Sequence, residues 1–114
     1  MVAPHVDQAQ VRALNDALRR SFAGGRVVVT AGVAALPDAT RAAVFEAVRA
    51  SELFDAEADH DPHGERDFGA VEAAGVRVLW KIDAFDRDLC CASPDPADPT
   101  VTVRVMTIML PEEW

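Results

Sequence analysis

Between Phe68 and Asp83 the chain is patterned for a β-hairpin. Phe68 to Ala73 and Val76 to Asp83 are two runs joined by Ala74-Gly75, a pair suited to a tight turn. In the second run Val76, Val78, Trp80 and Ile82 alternate with Arg77, Leu79, Lys81 and Asp83. Successive strand side chains point to opposite faces, so this alternation buries one face. Trp80 then belongs to the core and Lys81 to the solvent side.

Upstream the period changes. Asp7 can cap a helix that places Val11, Leu14, Leu18 and Phe22 on one face, with Arg12, Asn15, Asp16, Arg19 and Arg20 mainly elsewhere, and Gly24-Gly25 end it. Arg26 to Thr30 is a β-branched run that reads as a central or well-covered strand. Pro37 suits the start of a second amphipathic helix, Asp38 to about Ala50, with Val44, Phe45 and Val48 together. The last segment points two ways: Asp98-Pro99 is a good helix start, whereas Val101, Thr102, Val103 and Val105 prefer strand. Helix is the reading taken. The expectation is an α+β fold in a single domain spanning residues 1–114, with two N-terminal amphipathic helices around a short strand, then the hairpin and a C-terminal helix or strand. Aromatic residues are few, leaving Phe22, Phe45, Phe68 and Trp80 as bulky anchors of a core otherwise rich in Ala and Val.

Charge divides the chain. Through Ala50 there are four acids and six basic residues, and from Ser51 onward fifteen acids and five, so balances of +2 and −10 make up the overall −8. Most of the excess lies in two segments that read as loops, Asp55 to Asp67 and Asp83 to Pro99. Pro62 and Gly64 interrupt the first, and Ser93-Pro94-Asp95-Pro96-Ala97-Asp98-Pro99 stiffens the second. Such a balance opposes direct binding to nucleic acid, because phosphates would be repelled, and favours a basic protein surface as partner. No stretch approaches the roughly 20 apolar residues that cross a bilayer, and the amino terminus lacks a basic-then-apolar pattern, so a soluble cytoplasmic protein with no membrane partner is expected. Cys90 and Cys91 are adjacent, a spacing that staples no distant segments and offers no metal framework without further ligands.

The stretches Asp61-Pro62-His63-Gly64-Glu65-Arg66-Asp67-Phe68-Gly69, Trp80-Lys81-Ile82-Asp83 and Ser93 to Pro99 resemble a known family. Leu14-Asn15-Asp16 and Arg104 to Leu110 extend the likeness along nearly the whole chain. The family is the domain of unknown function 3768, small bacterial proteins associated with plasmids and other mobile elements. The resemblance implies a setting and no mechanism. Arg66 stands where a second histidine is common, Ala84-Phe85 where two tyrosines are common, and Trp114 where a tyrosine is common. These departures weigh against an enzyme and leave a binding surface largely intact.

Three constellations invite a chemical reading. His60 and His63, with Asp61 and Glu65, form an imidazole and carboxylate set of the kind that holds zinc, manganese or iron, though on a loop that offers little rigidity. Asp83, Asp86 and Asp88, with Glu65 and Asp67, offer paired carboxylates for acid–base work; Arg66 and Arg87 offer instead to tie the two loops together by ion pairs. The cysteines sit in acidic surroundings that disfavour a reactive thiolate. No phosphate-binding loop or nucleophile elbow is present.

The expected function is a non-enzymatic acidic module that binds a basic protein surface, without a cofactor. Its partner-binding residues are Asp55, Glu57, Asp59, Asp61, Glu65, Asp67, Asp86, Asp88, Asp95 and Asp98. Its sharpest form is a mobile-element inhibitor that mimics nucleic acid and occupies a channel in a host defence or nucleic-acid-binding complex. The alternative is a small hydrolase or nuclease using a divalent metal on His60, His63, Asp61 and Glu65.

Overall fold

A computed structural model describes residues 7–51 and 65–114. Helix α1 (Gln8–Ser21) begins where the Asp7 carboxylate accepts the Gln10 N–H at 3.1 Å, and it ends at Phe22, which adopts φ 56°. That left-handed residue lets its own N–H close on the Leu18 carbonyl at 2.8 Å. Strand β1 (Arg26–Val29) follows, then a single helical turn, α2 (Ala31–Ala34), and helix α3 (Asp38–Ala50). Strands β2 (Phe68–Ala73) and β3 (Val76–Phe85) form the expected hairpin, turning on Ala74 at φ 51° and Gly75 at φ 77°. Two consecutive positive φ values match the twist of a two-residue hairpin. Strand β4 (Val103–Met109) and a short 3₁₀ turn, Pro111–Glu113, complete the described chain.

The four strands lie in the order β1-β4-β3-β2, with β4 antiparallel to β3 and parallel to β1. The architecture is α+β, as the periodicities predicted, but the C-terminal element is a strand and not the helix that Asp98-Pro99 favoured. Val103, Val105 and Thr107 alternate with Arg104, Met106 and Ile108, and pairing on both sides stabilises that extended pattern. The β1 expectation is also corrected. It is an edge strand, and Val28 and Val29 are 44% and 37% exposed. A run of three valines does not distinguish a covered strand from an edge.

The helices cover one face of the sheet. Leu18 of α1, Val33 of α2, and Val44 and Val48 of α3 meet Val78, Trp80, Ile82, Met106 and Ile108 in one buried cluster. Phe22 and Phe45 pack at its rim, edge to face with centroids 5.9 Å apart. Trp80 is wholly buried and lies flat over Gly69: a β-carbon there would come within 2.6 Å of the indole nitrogen, so the close approach requires glycine. Phe68 is not an anchor of this core. Its neighbour Gly69 faces Trp80, which directs Phe68 to the opposite face, where it stacks edge to face on Trp114 at 5.0 Å. At the far end, Glu113 accepts the Thr30 hydroxyl at 2.6 Å and the Gly32 N–H at 2.9 Å, fastening the C-terminal turn to the end of β1.

Candidate functional site

The second acidic segment emerges where β3 gives way to β4. Asp83 belongs to β3 and pairs with Lys81 at 3.1 Å, so the loop proper starts at Asp86. It is closely bonded throughout. The Asp86 N–H donates to the Cys91 carbonyl at 2.8 Å, the Cys90 N–H donates to the Asp86 carboxylate at 3.2 Å, and Phe85 bridges Ala92. Further on, Asp95 accepts the Ala97 N–H at 3.1 Å, and Asp98 accepts both the Thr100 N–H at 2.9 Å and its hydroxyl at 2.6 Å. These are turns in which a carboxylate stands in for a backbone acceptor. The Thr102 hydroxyl donates to the Asp95 carbonyl at 2.9 Å, which leaves Ser93 as the donor in the 2.6 Å Ser93–Thr102 contact.

Two of these carboxylates, Asp86 and Asp98, are shifted by their donors. The Thr100 hydroxyl and N–H hold the Asp98 carboxyl below its ordinary range. Burial would raise Asp86, but donors from the Cys90 backbone and thiol, and from the Cys91 and Asp88 backbones, leave it lowered. The Cys90 thiol is pushed up by its bond to Cys91 and by the Asp86 carboxylate.

Beneath this loop lies a knot of buried polar side chains that the helical periodicity assigned mainly outside the apolar face. Asn15 is 3% exposed. Its amide donates to the Glu65 carbonyl at 3.0 Å, and its oxygen accepts from Arg104 Nε at 2.9 Å. Arg104 Nη2 in turn donates to the Pro96 carbonyl. The next residue of α1, Asp16, accepts from Arg66 at 2.8 Å. Arg19, fully buried, donates to the carbonyls of Val48, Arg49 and Ser51 at 3.1, 3.2 and 2.6 Å. Those carbonyls lie at the C-terminal end of α3, where the Val48 carbonyl also accepts the Ser51 cap N–H at 3.4 Å, and the negative end of the helix dipole favours a cation there. The Arg19 guanidinium also lies 5.6 Å from the Trp80 ring centre.

The consequence is convergence. Glu65, beside the first acidic segment, and Pro96, within the second, are both held to the Asn15–Arg104 pair, and the Glu65 charge opposes the lowering that burial imposes on Arg104. Among the described residues, the contacts of Arg66 and Arg87 run to α1 and within the second loop. Arg87 donates to the Thr100 carbonyl at 3.1 Å. Of the predicted partner-binding residues, Glu65, Asp67, Asp86, Asp88, Asp95 and Asp98 are described; Asp55, Glu57, Asp59 and Asp61, with His60 and His63 of the metal alternative, lie outside the described residues.

Sequence reasoning passed over Asn15, Arg19 and Arg104 as functional supports. For Asn15 and Arg104 the available signal was their place in the motifs Leu14-Asn15-Asp16 and Arg104 to Leu110, which resemblance to the family had already marked. Among the described residues, no helix is long and apolar enough to cross a membrane. No curated protein and no solved structure matches the chain. A family model, however, matches residues 29–113, which hold the whole sheet except part of β1 and every described residue of both acidic segments. The chain therefore belongs to the family described as Protein of unknown function (DUF3768).

Proposed function

We propose that this protein is a non-enzymatic binding module that presents the acidic end of its sheet to a basic surface on a partner protein. The observation that supports this reading is that Glu65, in the described end of the first acidic segment, and Pro96, in the second, are both bonded to one buried Asn15–Arg104 pair. Carboxylates held in place by Asx turns lose little freedom on binding, and a concentrated field of one sign speeds encounter with the opposite sign. In its sharper form the partner surface is a nucleic-acid channel, the carboxylates substitute for phosphates, and the protein is an inhibitor carried by a mobile element. The metal-dependent hydrolase alternative draws on His60, His63 and Asp61, outside the described residues, and on Glu65, whose charge already faces Arg104.

The test is affinity capture from a bacterial lysate at low salt, comparing the native chain with one carrying Asp86→Asn, Asp88→Asn, Asp95→Asn and Asp98→Asn. Asparagine keeps the acceptor oxygen of each turn and removes the charge. The native chain is expected to retain a nucleic-acid-handling complex that is released as salt rises, and the neutralised chain to retain little of it. Equal capture by both chains, or a complex indifferent to salt, overturns the reading.

A further inference from the structure

The loop that links β3 to the proline-rich segment has chemistry the binding reading does not use. Its six residues, Asp86 to Cys91, are closed at the base by the Phe85–Ala92 bridge and by the Asp86 N–H to Cys91 carbonyl bond. Leu89 takes φ 60° and donates its N–H to the Asp86 carbonyl at 3.0 Å, which turns the chain back on itself. Three potential ligand atoms thereby meet: a carboxylate oxygen of Asp86 and the sulfurs of Cys90 and Cys91 all lie within 4.8 Å of one another. The two cysteines are exposed, and both thiols are free.

We propose that Asp86, Cys90 and Cys91 form a binding site for a single zinc ion. One edge of the cluster already has the ion's spacing, and the others lie within 4.8 Å. With Zn–S of about 2.3 Å and Zn–O of about 2.1 Å, a tetrahedron has S···O edges of about 3.6 Å and S···S edges of about 3.8 Å. Cys90 Sγ stands 3.5 Å from Asp86 Oδ2. Two soft thiolates and one carboxylate select zinc or its heavier congener cadmium over magnesium or calcium, which prefer all-oxygen ligands. Both thiols release their protons to solvent as the ion enters, and the acidic surroundings attract the cation. Three protein ligands leave the fourth position open to water or to a donor from a partner. Adjacent cysteines alone carry no such framework; the returning loop supplies the third ligand from four residues upstream.

The experiment is a zinc titration of the reduced, metal-free full chain against a chromophoric chelator, with cadmium as an optical probe of thiolate ligation. The native chain should take up one zinc per molecule, and cadmium should produce thiolate-to-metal absorption in the ultraviolet. Cys90→Ser with Cys91→Ser should abolish both signals, and Asp86→Asn should weaken zinc at least about tenfold. His60→Ala with His63→Ala should leave both unchanged, which separates this site from the histidine alternative. Absence of cadmium–thiolate absorption in the native chain overturns the proposal without reference to any variant's folding. So does zinc uptake that survives loss of both cysteines, or an Asp86→Asn affinity equal to the native one.

Discussion

The helix-covered core and the polar knot are neighbours, yet they are held by opposite kinds of force. In the core, Val44, Val48, Trp80, Met106 and Ile108 are buried by contacts that have no preferred direction, so shape and volume are what matter. In the knot, Asn15, Arg19 and Arg104 are buried to the same degree, and each is held by donors and acceptors at set positions on three different segments. Burial without those partners would cost more than it returns. The core therefore sets how strongly the layers adhere, and the knot sets where Glu65 and Pro96 are placed. A binding surface built on loops needs the second kind of support.

The largest expected effect lies in the core. Trp80→Ala removes the bulkiest buried side chain and the platform beneath Arg19, and should destabilise by about 3–5 kcal/mol in urea unfolding. A loss under about 1 kcal/mol would show that the helices do not depend on this contact.

The sharper test compares two conservative changes. Arg104→Lys keeps the charge but loses the planar fork that serves the Asn15 oxygen and the Pro96 carbonyl at once, and should cost about 2 kcal/mol. Met106→Leu, two residues along the same strand, conserves volume and should cost less than about 1.5 kcal/mol. If the ranking is reversed in matched unfolding curves, the division between shape-held and direction-held regions fails.

The smallest effect tests direction at the surface. Glu113 ties the C-terminal turn to Thr30 and Gly32, and those donors hold its carboxyl below the ordinary range. A lowered folded-state pKa contributes stability above the unfolded value of about 4.3, and that contribution is lost as pH falls through the folded value. Glu113→Gln should therefore lower the melting temperature at neutral pH, with the gap to native closing as the solution is acidified. A gap that widens in acid would contradict the assignment. Water can replace part of what is lost here, which it cannot do at Asn15, so the knot should remain the costlier place to disturb.

Legibility of the sequence followed the range of the interactions. The hairpin, α1 with its Asp7 cap and α3 could be read because turn chemistry, capping and side-chain periodicity act within a few residues. The lopsided charge was equally plain. Strand β4 was misread because its partners, β1 and β3, are distant in the chain, and a valine-rich segment declares itself a strand through pairing that no local window contains. Asn15 and Arg19 were placed mainly outside the apolar face for the same reason. A polar residue on a helix reads as solvent-facing unless the carbonyls that satisfy it are known, and those belong to Glu65, Val48, Arg49 and Ser51. Phe68 looked like a core anchor until strand alternation, set by Trp80 over Gly69, sent it to the other face.

Local composition thus settled which elements form, where charge accumulates, and which family motifs the chain carries. Folding in three dimensions settled which strand lies at the edge and that Glu65 and Pro96 meet the same buried pair. The division has one physical cause: periodicity and turn preference are properties of neighbouring residues, whereas strand order and burial of a polar group depend on segments that become neighbours only when the sheet forms.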